Sequence, residues 1–412
     1  MKGIIYSNGG GYKSLFLALT LISSLYAQSK EITFPEFPTL PDCNNKENCK
    51  TYDGTNDLSQ ITIAEPTAGT ASFNLKLDNS FGFDSTKTQS NNTIIIKSAK
   101  NLTGAIRAAV GKEAEVSNNK IYIDLSTSND KTISFEKKVD NVNSYMLMDY
   151  GGIAAGSAYK NSAYNNQTFI KGATIENAGI YAGHVTLNKL FKTPVKGDDN
   201  TLFLEQTHVK NASLAAFYLS YEDNFGLKID ANNNKTYIKN STIENGGIYT
   251  NNLILSNSNN KTILTANNNI LFLDNVTTKG NSTNASNIGV VRFHNRSPKS
   301  IANNNDLVIQ NSKIQANEIF VVTAPSNTFN IPIDITANQN HLKISKSNIK
   351  INNDKKGIRN QIGIFAVYKA TNTDENSILL EDLNIDNTNE SSNSNTFYIS
   401  TALSVQNAKK IP

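Results

Sequence analysis

The sequence predicts an all-β chain wound as a right-handed parallel β-helix with coils of about 35 residues, and three observations predict it. First, a short apolar phrase recurs at Ile170, Leu204, Ile238, Leu273, Ile309, Ile344 and Leu380, in steps of 34, 34, 35, 36, 35 and 36 residues. Spacing that even, in strand-forming sequence, marks a solenoid that winds once per repeat. Second, apolar and polar residues alternate within each phrase, as in Leu307-Val308-Ile309-Gln310. Alternation by two is a strand with one buried face, whereas a helix needs three- and four-residue spacing. Third, Asn triplets at 232–234, 267–269 and 303–305 separate the phrases. Asn tolerates left-handed backbone angles and bonds its own main chain, so these are turn signals.

Residues 1–27 read as a secretory signal peptide. Lys2 and Lys13 precede the apolar run Leu15 to Ile22, and Ala27 suits the residue before the cut. A membrane anchor is the alternative, and the run is short for a span. Residues 28–60 form a segment rich in Pro and Asn that contains both cysteines of the chain, Cys43 and Cys49. In an exported chain the pair points to a small disulfide loop; a metal pair is the alternative, and no His lies nearby. Residues 61–166 hold strand-like runs in less regular coils. Within them 102–116, with Ala-Ile-Arg-Ala-Ala-Val inside it, resembles a short helix that caps or decorates the column.

The regular repeats occupy 167–405. The two clearest copies are Lys171 to Tyr181 and Lys239 to Tyr249, 68 residues apart, with a weaker copy between. Three short strands per repeat suit one coil, each pairing with its equivalent about 4.8 Å away. Seven coils at that rise give a column roughly 30 Å long. The seven anchors then stack as an inward ladder. The residue five places on (Ile175, Val209, Ile243, Thr278, Ile314, Ile349, Ile385) is aliphatic in all but one repeat. Two places before the anchors, Thr168 and Thr236 replace the usual apolar residue. Asn177, Asn211, Asn245 and Asn387 are placed to form a side-chain amide ladder at a corner. Residues 406–412 are a tail and an expected truncation point.

Composition excludes several functions. A net charge of +4, with bases scattered among acids, gives no nucleic-acid footprint. No catalytic, cofactor-binding or metal-ligating set emerges. The four His (His184, His208, His294, His341) are far apart in sequence, and none pairs with Cys or Glu at ligand spacing. Asp198-Asp199 suits a turn better than an acid/base pair. Phosphate-loop, nucleophile-elbow and His-Glu-x-x-His motifs are missing.

A signal peptide followed by several hundred Cys-poor residues of Asn/Thr/Ser-rich repeat, with phrases like Ile238-Lys-Asn-Ser-Thr-Ile243-Glu-Asn245-Gly-Gly-Ile248-Tyr249, resembles the passenger domain of bacterial autotransporters. Within that group it is similar to the vacuolating-cytotoxin-like passengers. The resemblance covers roughly 61–405. It implies export through the periplasm to the cell surface or medium, and a β-helical rod that binds host or neighbouring cells as an adhesin or toxin-like passenger. It also implies an outer-membrane translocator barrel. The sequence carries no barrel strands, so the expectation is a truncated chain, a frameshifted gene or a separate barrel. A carbohydrate-active β-helix enzyme and a purely structural envelope rod are the alternatives. Exposed side chains of one face and the loops 279–287 and 352–361 are the expected binding elements.

Overall fold

Residues that hold one position in every repeat stack directly above one another. In the computed structural model the strand bearing each anchor pairs in parallel with the next, so Ile123, Ile170, Leu204, Ile238, Leu273, Ile309, Ile344 and Leu380 form one unbroken register. The chain is a parallel β-helix. The structure describes residues 32–55, 62–63, 80–81, 90–100, 102, 106–112, 114–135, 152–187, 193–222, 226–256, 262–280, 287–294, 299–323, 334–351, 360–366, 374–386 and 397–400. Ala27 and the rest of the expected leader, Asn387, the expected tail 406–412 and most of the loops 279–287 and 352–361 lie outside them.

One coil shows the plan. Thr201–Glu205 forms the first face, His208–Lys210 the second, Ser213–Glu222 the third and Lys228–Asp230 the fourth. The described strands pair in parallel between coils, apart from Thr62–Ile63 against Ser80–Phe81, which is antiparallel. Four strands per coil replace the expected three because the phrase bends just after its anchor. The residue two places past each anchor (Gly172, Gln206, Asn240, Asn275, Asn311, Lys346, Asp382) has φ between 48° and 66°. A left-handed residue turns the chain and separates the first face from the second. In the last two coils His341–Ile351 and Ser377–Asp386 run through this corner as single long strands.

The interior is one continuous apolar core. Six anchors from Ile170 to Ile344 are fully buried, while Leu380, in the last coil, is partly buried against it. The exceptions to the apolar pattern have physical partners. Thr168 and Thr236 are buried, and their hydroxyls donate to the carbonyls of Tyr181 (2.7 Å) and Tyr249 (3.0 Å) across the coil. Thr278, alone in an aliphatic column, donates to the Gln315 carbonyl and accepts from the Gln315 N–H, each at 2.9 Å. A buried hydroxyl that finds both kinds of partner avoids the desolvation penalty of an unpaired one.

The Asn triplets do more than turn the chain. The residue four places before each anchor is Asn in all seven repeats: Asn166, Asn200, Asn234, Asn269, Asn305, Asn340 and Asn376. Six of the seven, from Asn166 to Asn340, are fully buried. Along this column each backbone N–H donates to the side-chain oxygen one coil on, as from Asn234 to Asn269 (2.8 Å) and from Asn269 to Asn305 (3.0 Å). The side-chain amide of Asn305 donates to Asn340 at 2.9 Å in the same sense. Two places earlier a second column links Asn303 to Asn267 and Asn267 to Asn232, each by a backbone N–H to a side-chain oxygen at 2.8 Å. Between the columns sits a left-handed residue in each repeat, with φ of 52–60° at Asn165, Asp199, Asn233, Asn268, Asn304, Gln339 and Glu375.

The third face explains a departure from the sequence reading. The expected helix at 102–116 is a strand, Ile106–Lys112. Each long strand of this face bends where two consecutive residues point inward, as at Ala182 and Gly183, Ala216 and Phe217, or Val290 and Val291. Ala108 and Ala109 fill that bend and are fully buried. Small residues suit a crowded corner, so coil-to-coil pairing overrides the helix propensity of Ala. A Cβ on Gly183 would lie 2.5 Å from the Asn200 side-chain oxygen, so the bend also leaves room for the Asn column.

Replacing Asn269 by Ala removes an acceptor and a donor inside the column and leaves the Asn234 N–H without its partner. We expect a loss of about 2–3 kcal/mol in urea denaturation followed by circular dichroism. Asn268→Gly, at the adjacent left-handed and exposed position, should change stability by less than about 0.5 kcal/mol.

Candidate functional site

Any recognition or chemistry must use side chains that point away from the core. On the first face the outward column one place before the anchors is aromatic. It runs Tyr122, Phe169, Phe203, Tyr237, Phe272, flanked by Ile95 and Val308. These rings are not open to solvent. Ile32, Phe34, Phe37, Leu40 and Cys43 pack on them, so residues 32–43 form a strap across several coils. Phe34 meets Phe203, Tyr237 and Phe272 edge-on at 5.3–5.7 Å, and Phe37 meets Phe169 and Phe203 at 5.7–6.3 Å. Behind the strap a disulfide joins Cys43 to Cys49, which opens the first strand of the column, Cys49–Tyr52.

On the third face the outward residues alternate large and small up the column: Arg107, Ala154, Tyr181, Ala215, Tyr249, Gly289, Phe320, Gly363. Each large side chain lies over a small one, which gives the 68-residue likeness between the Tyr181 and Tyr249 copies a packing cause. The neighbouring column holds Ser157, His184, Tyr218, Asn252, Arg292 and Thr323. Tyr181 and Tyr218 stack at 4.7 Å, and His184 stacks on Tyr218 at 5.4 Å. The Arg292 guanidinium lies 5.2 Å from the Tyr249 ring centroid. Burial raises the Glu318 carboxyl above its usual range, against the pull of Arg292.

His184 is the one group here whose ordinary titration lies near neutral pH and is strongly displaced, while burial drives the Tyr181 hydroxyl well above its usual range. Burial, reinforced by the positive charge of Arg107, holds the His184 pKa down to about 3. Nδ1 lies 2.9 Å from Ser157 Oγ and Nε2 3.3 Å from Thr186 Oγ1. A general base works best with a pKa near the working pH. An imidazole held neutral to pH 3 is too weak a base to activate Ser157, and acts as a hydrogen-bonding hub in an aromatic stack.

The second face carries charged rungs in reach of solvent, as does the fourth, where Lys228 pairs with Asp230 at 2.8 Å. On the second face one outward column reads Thr174, His208, Thr242, Thr277, Lys313; the other reads Glu176, Lys210, Glu244, Lys279. Lys210 pairs with Glu176 at 3.0 Å and Lys279 with Glu244 at 3.2 Å. His208 Nε2 also lies 3.2 Å from Glu244. Glu244 falls below its usual range because its bonds to Lys279 and His208 outweigh the upward push of burial. Exposed ion pairs of this kind stabilise a fold by about 0–1 kcal/mol each. Along the edge of the second face Asn211 donates to Asn177 at 3.1 Å, and Asn245 to Asn211 at 3.2 Å, as an exposed amide ladder.

The remaining candidates stay apart. Asp198 accepts from Asn232 at 2.7 Å in the second Asn column, six places before the anchors, and Asp199 takes a left-handed φ of 60° beside it. His341 bonds Ser377 on the first face at 2.7 Å, and the His294 side chain lies outside the described residues. Among the described residues no group of three or more His, Cys, Asp or Glu is placed to hold a metal ion. Sequence reasoning missed the strap and the third-face cluster. The available signals were the aromatic residues at one repeat position and the alternation of Tyr with Ala or Gly. The chain matches no protein-family model, no curated protein and no solved structure.

A group whose folded pKa lies below its unfolded value stabilises the fold above the unfolded pKa and loses that stabilisation as pH falls. For His184 the window runs from 6.5 down to about 3. Across it the unaltered chain should lose stability relative to His184→Gln by about 1.4 kcal/mol per pH unit, read from paired urea titrations. Ala215→Tyr places a third ring between Tyr181 and Tyr249. It should destabilise by about 1–3 kcal/mol in the same assay, whereas Ala215→Gly should be milder.

Proposed function

We propose that the chain is an exported β-helical rod of the autotransporter-passenger kind that binds the surface of host or neighbouring cells, as an adhesin or toxin-like passenger. One observation carries the reading: the second face presents Thr, Lys, His and Glu side chains in register, one rung per coil. Its charges contribute little to stability where they stand, so their regular presentation suits recognition. Protein or glycan groups with donors and acceptors at matching intervals are the fitting partners. The leader expected at 1–27 and the resemblance of the repeats support export through the periplasm, with an outer-membrane barrel as the translocating partner. Catalysis has less support, because His184, the buried imidazole beside a serine hydroxyl, is a weak base packed against the Tyr181 and Tyr218 rings.

Purified protein spanning 28–412 should bind cultured cells saturably and retain ligands from a glycan or surface-protein array. The double charge reversal Lys210→Glu and Glu244→Lys should weaken that binding at least tenfold while leaving the circular dichroism spectrum unchanged. Absence of binding to cells and arrays alike, or binding indifferent to the reversal, would overturn the reading.

A further inference from the structure

The strap is attached to the column in an unusual way. Backbone ladders hold the coils to each other, but among the described residues no backbone hydrogen bond joins 32–41 to the column. Pro35, Pro38 and Pro41 have no N–H to offer. The attachment is through side chains: Phe34 and Phe37 in the aromatic ladder, with the ammoniums of Lys239 and Lys171 each 5.3 Å from one of these rings. Three residues of a proline-rich extended segment advance about 9 Å, close to two rungs of the ladder at about 4.8 Å each. The face is therefore a groove that reads the spacing Phe-Pro-x-Phe-Pro. The strap rejoins the column through the loop closed by Cys43 and Cys49, so it can swing out without breaking a strand pair.

We propose that this ladder is a docking groove for Phe-Pro-x-Phe-Pro segments and that its exchangeable occupant is the strap of a second copy of the chain, so that two columns associate by trading straps. The contacts made in exchange are the same as those made within one chain, so trading loses none of them. The tethered strap has the advantage of high local concentration, so exchange needs concentrated protein and time. The proposal does not depend on what the second face binds.

Two preparations of the full chain bearing different affinity tags are mixed at high concentration, incubated, diluted and captured by one tag. We expect the second tag to be retained, and an excess of a peptide of residues 32–41 during incubation to reduce its retention at least tenfold. The same peptide with Phe34→Ala and Phe37→Ala should have no effect. In a second measurement, the full chain carrying Phe34→Ala and Phe37→Ala should bind the fluorescent native peptide at least tenfold more tightly than the unaltered chain, whose own strap fills the groove. No retention of the second tag overturns exchange between copies, as does retention that the native peptide leaves unchanged. Equal binding of the peptide by the altered and unaltered chains overturns the groove itself.

Discussion

A carboxamide buried in a protein must satisfy both its donor and its acceptor. Here each side-chain oxygen takes the backbone N–H of the equivalent Asn one coil below, while the amide donates to the next Asn or, as at Asn234, to Asn251 and the Gly197 carbonyl. That requirement governs the column. Asn200, Asn234, Asn269, Asn305 and Asn340 are fully buried, and each takes a bond from the coil below into its side-chain oxygen. Slipping one coil by a single residue would leave an unpaired amide in the core, a penalty of about 1–3 kcal/mol at every rung disturbed. The apolar ladders supply most of the favourable free energy, but they tolerate imprecision, since one aliphatic packs nearly as well over its neighbour's neighbour. The amides set the register and the apolar residues fill it.

Register fixed in this way has effects on the outside. Because each residue stands over its equivalent, the outward columns also acquire a period of one coil or two. On the first face the result is an aromatic ladder that the strap covers. On the third face it is the alternation from Arg107 to Gly363, where bulk in one coil demands a Gly or Ala in the next. On the second face charges of opposite sign follow each other from Glu176 to Lys279. The three surfaces differ in chemistry and share one geometric origin.

How much of this was legible differs by level. The even recurrence of Ile170 and its equivalents, with alternation around them, was enough for the parallel β-helix, because inward ladders have to repeat. The Asn triplets were read as turns, which is half of their role; burial of the third Asn depends on the coil below and has no local signature beyond recurrence. The alanines at 108 and 109 pointed to a helix because propensity is a local quantity and the bend they fill is not. Thr278 looked like a lapse in an aliphatic column until its bonds to Gln315 were placed. The outer clusters were least legible. Phe34 and Phe203 are far apart in the chain, and no local pattern joins them.

The two Asn columns linked through backbone N–H groups have one more consequence. In the column four places before the anchors, bonds run from donors in the lower coil to oxygens in the upper, as from Asn269 to Asn305. In the column six places before, they run from donors in the upper coil to oxygens in the lower, as from Asn303 to Asn267. Each column is a string of aligned amide dipoles, and the two strings are antiparallel. Lengthening either alone would build opposite partial charges at the two ends of the rod, as happens in a helix. Side by side they oppose each other over the coils where both are present, so the field that either column alone would build along the axis is reduced.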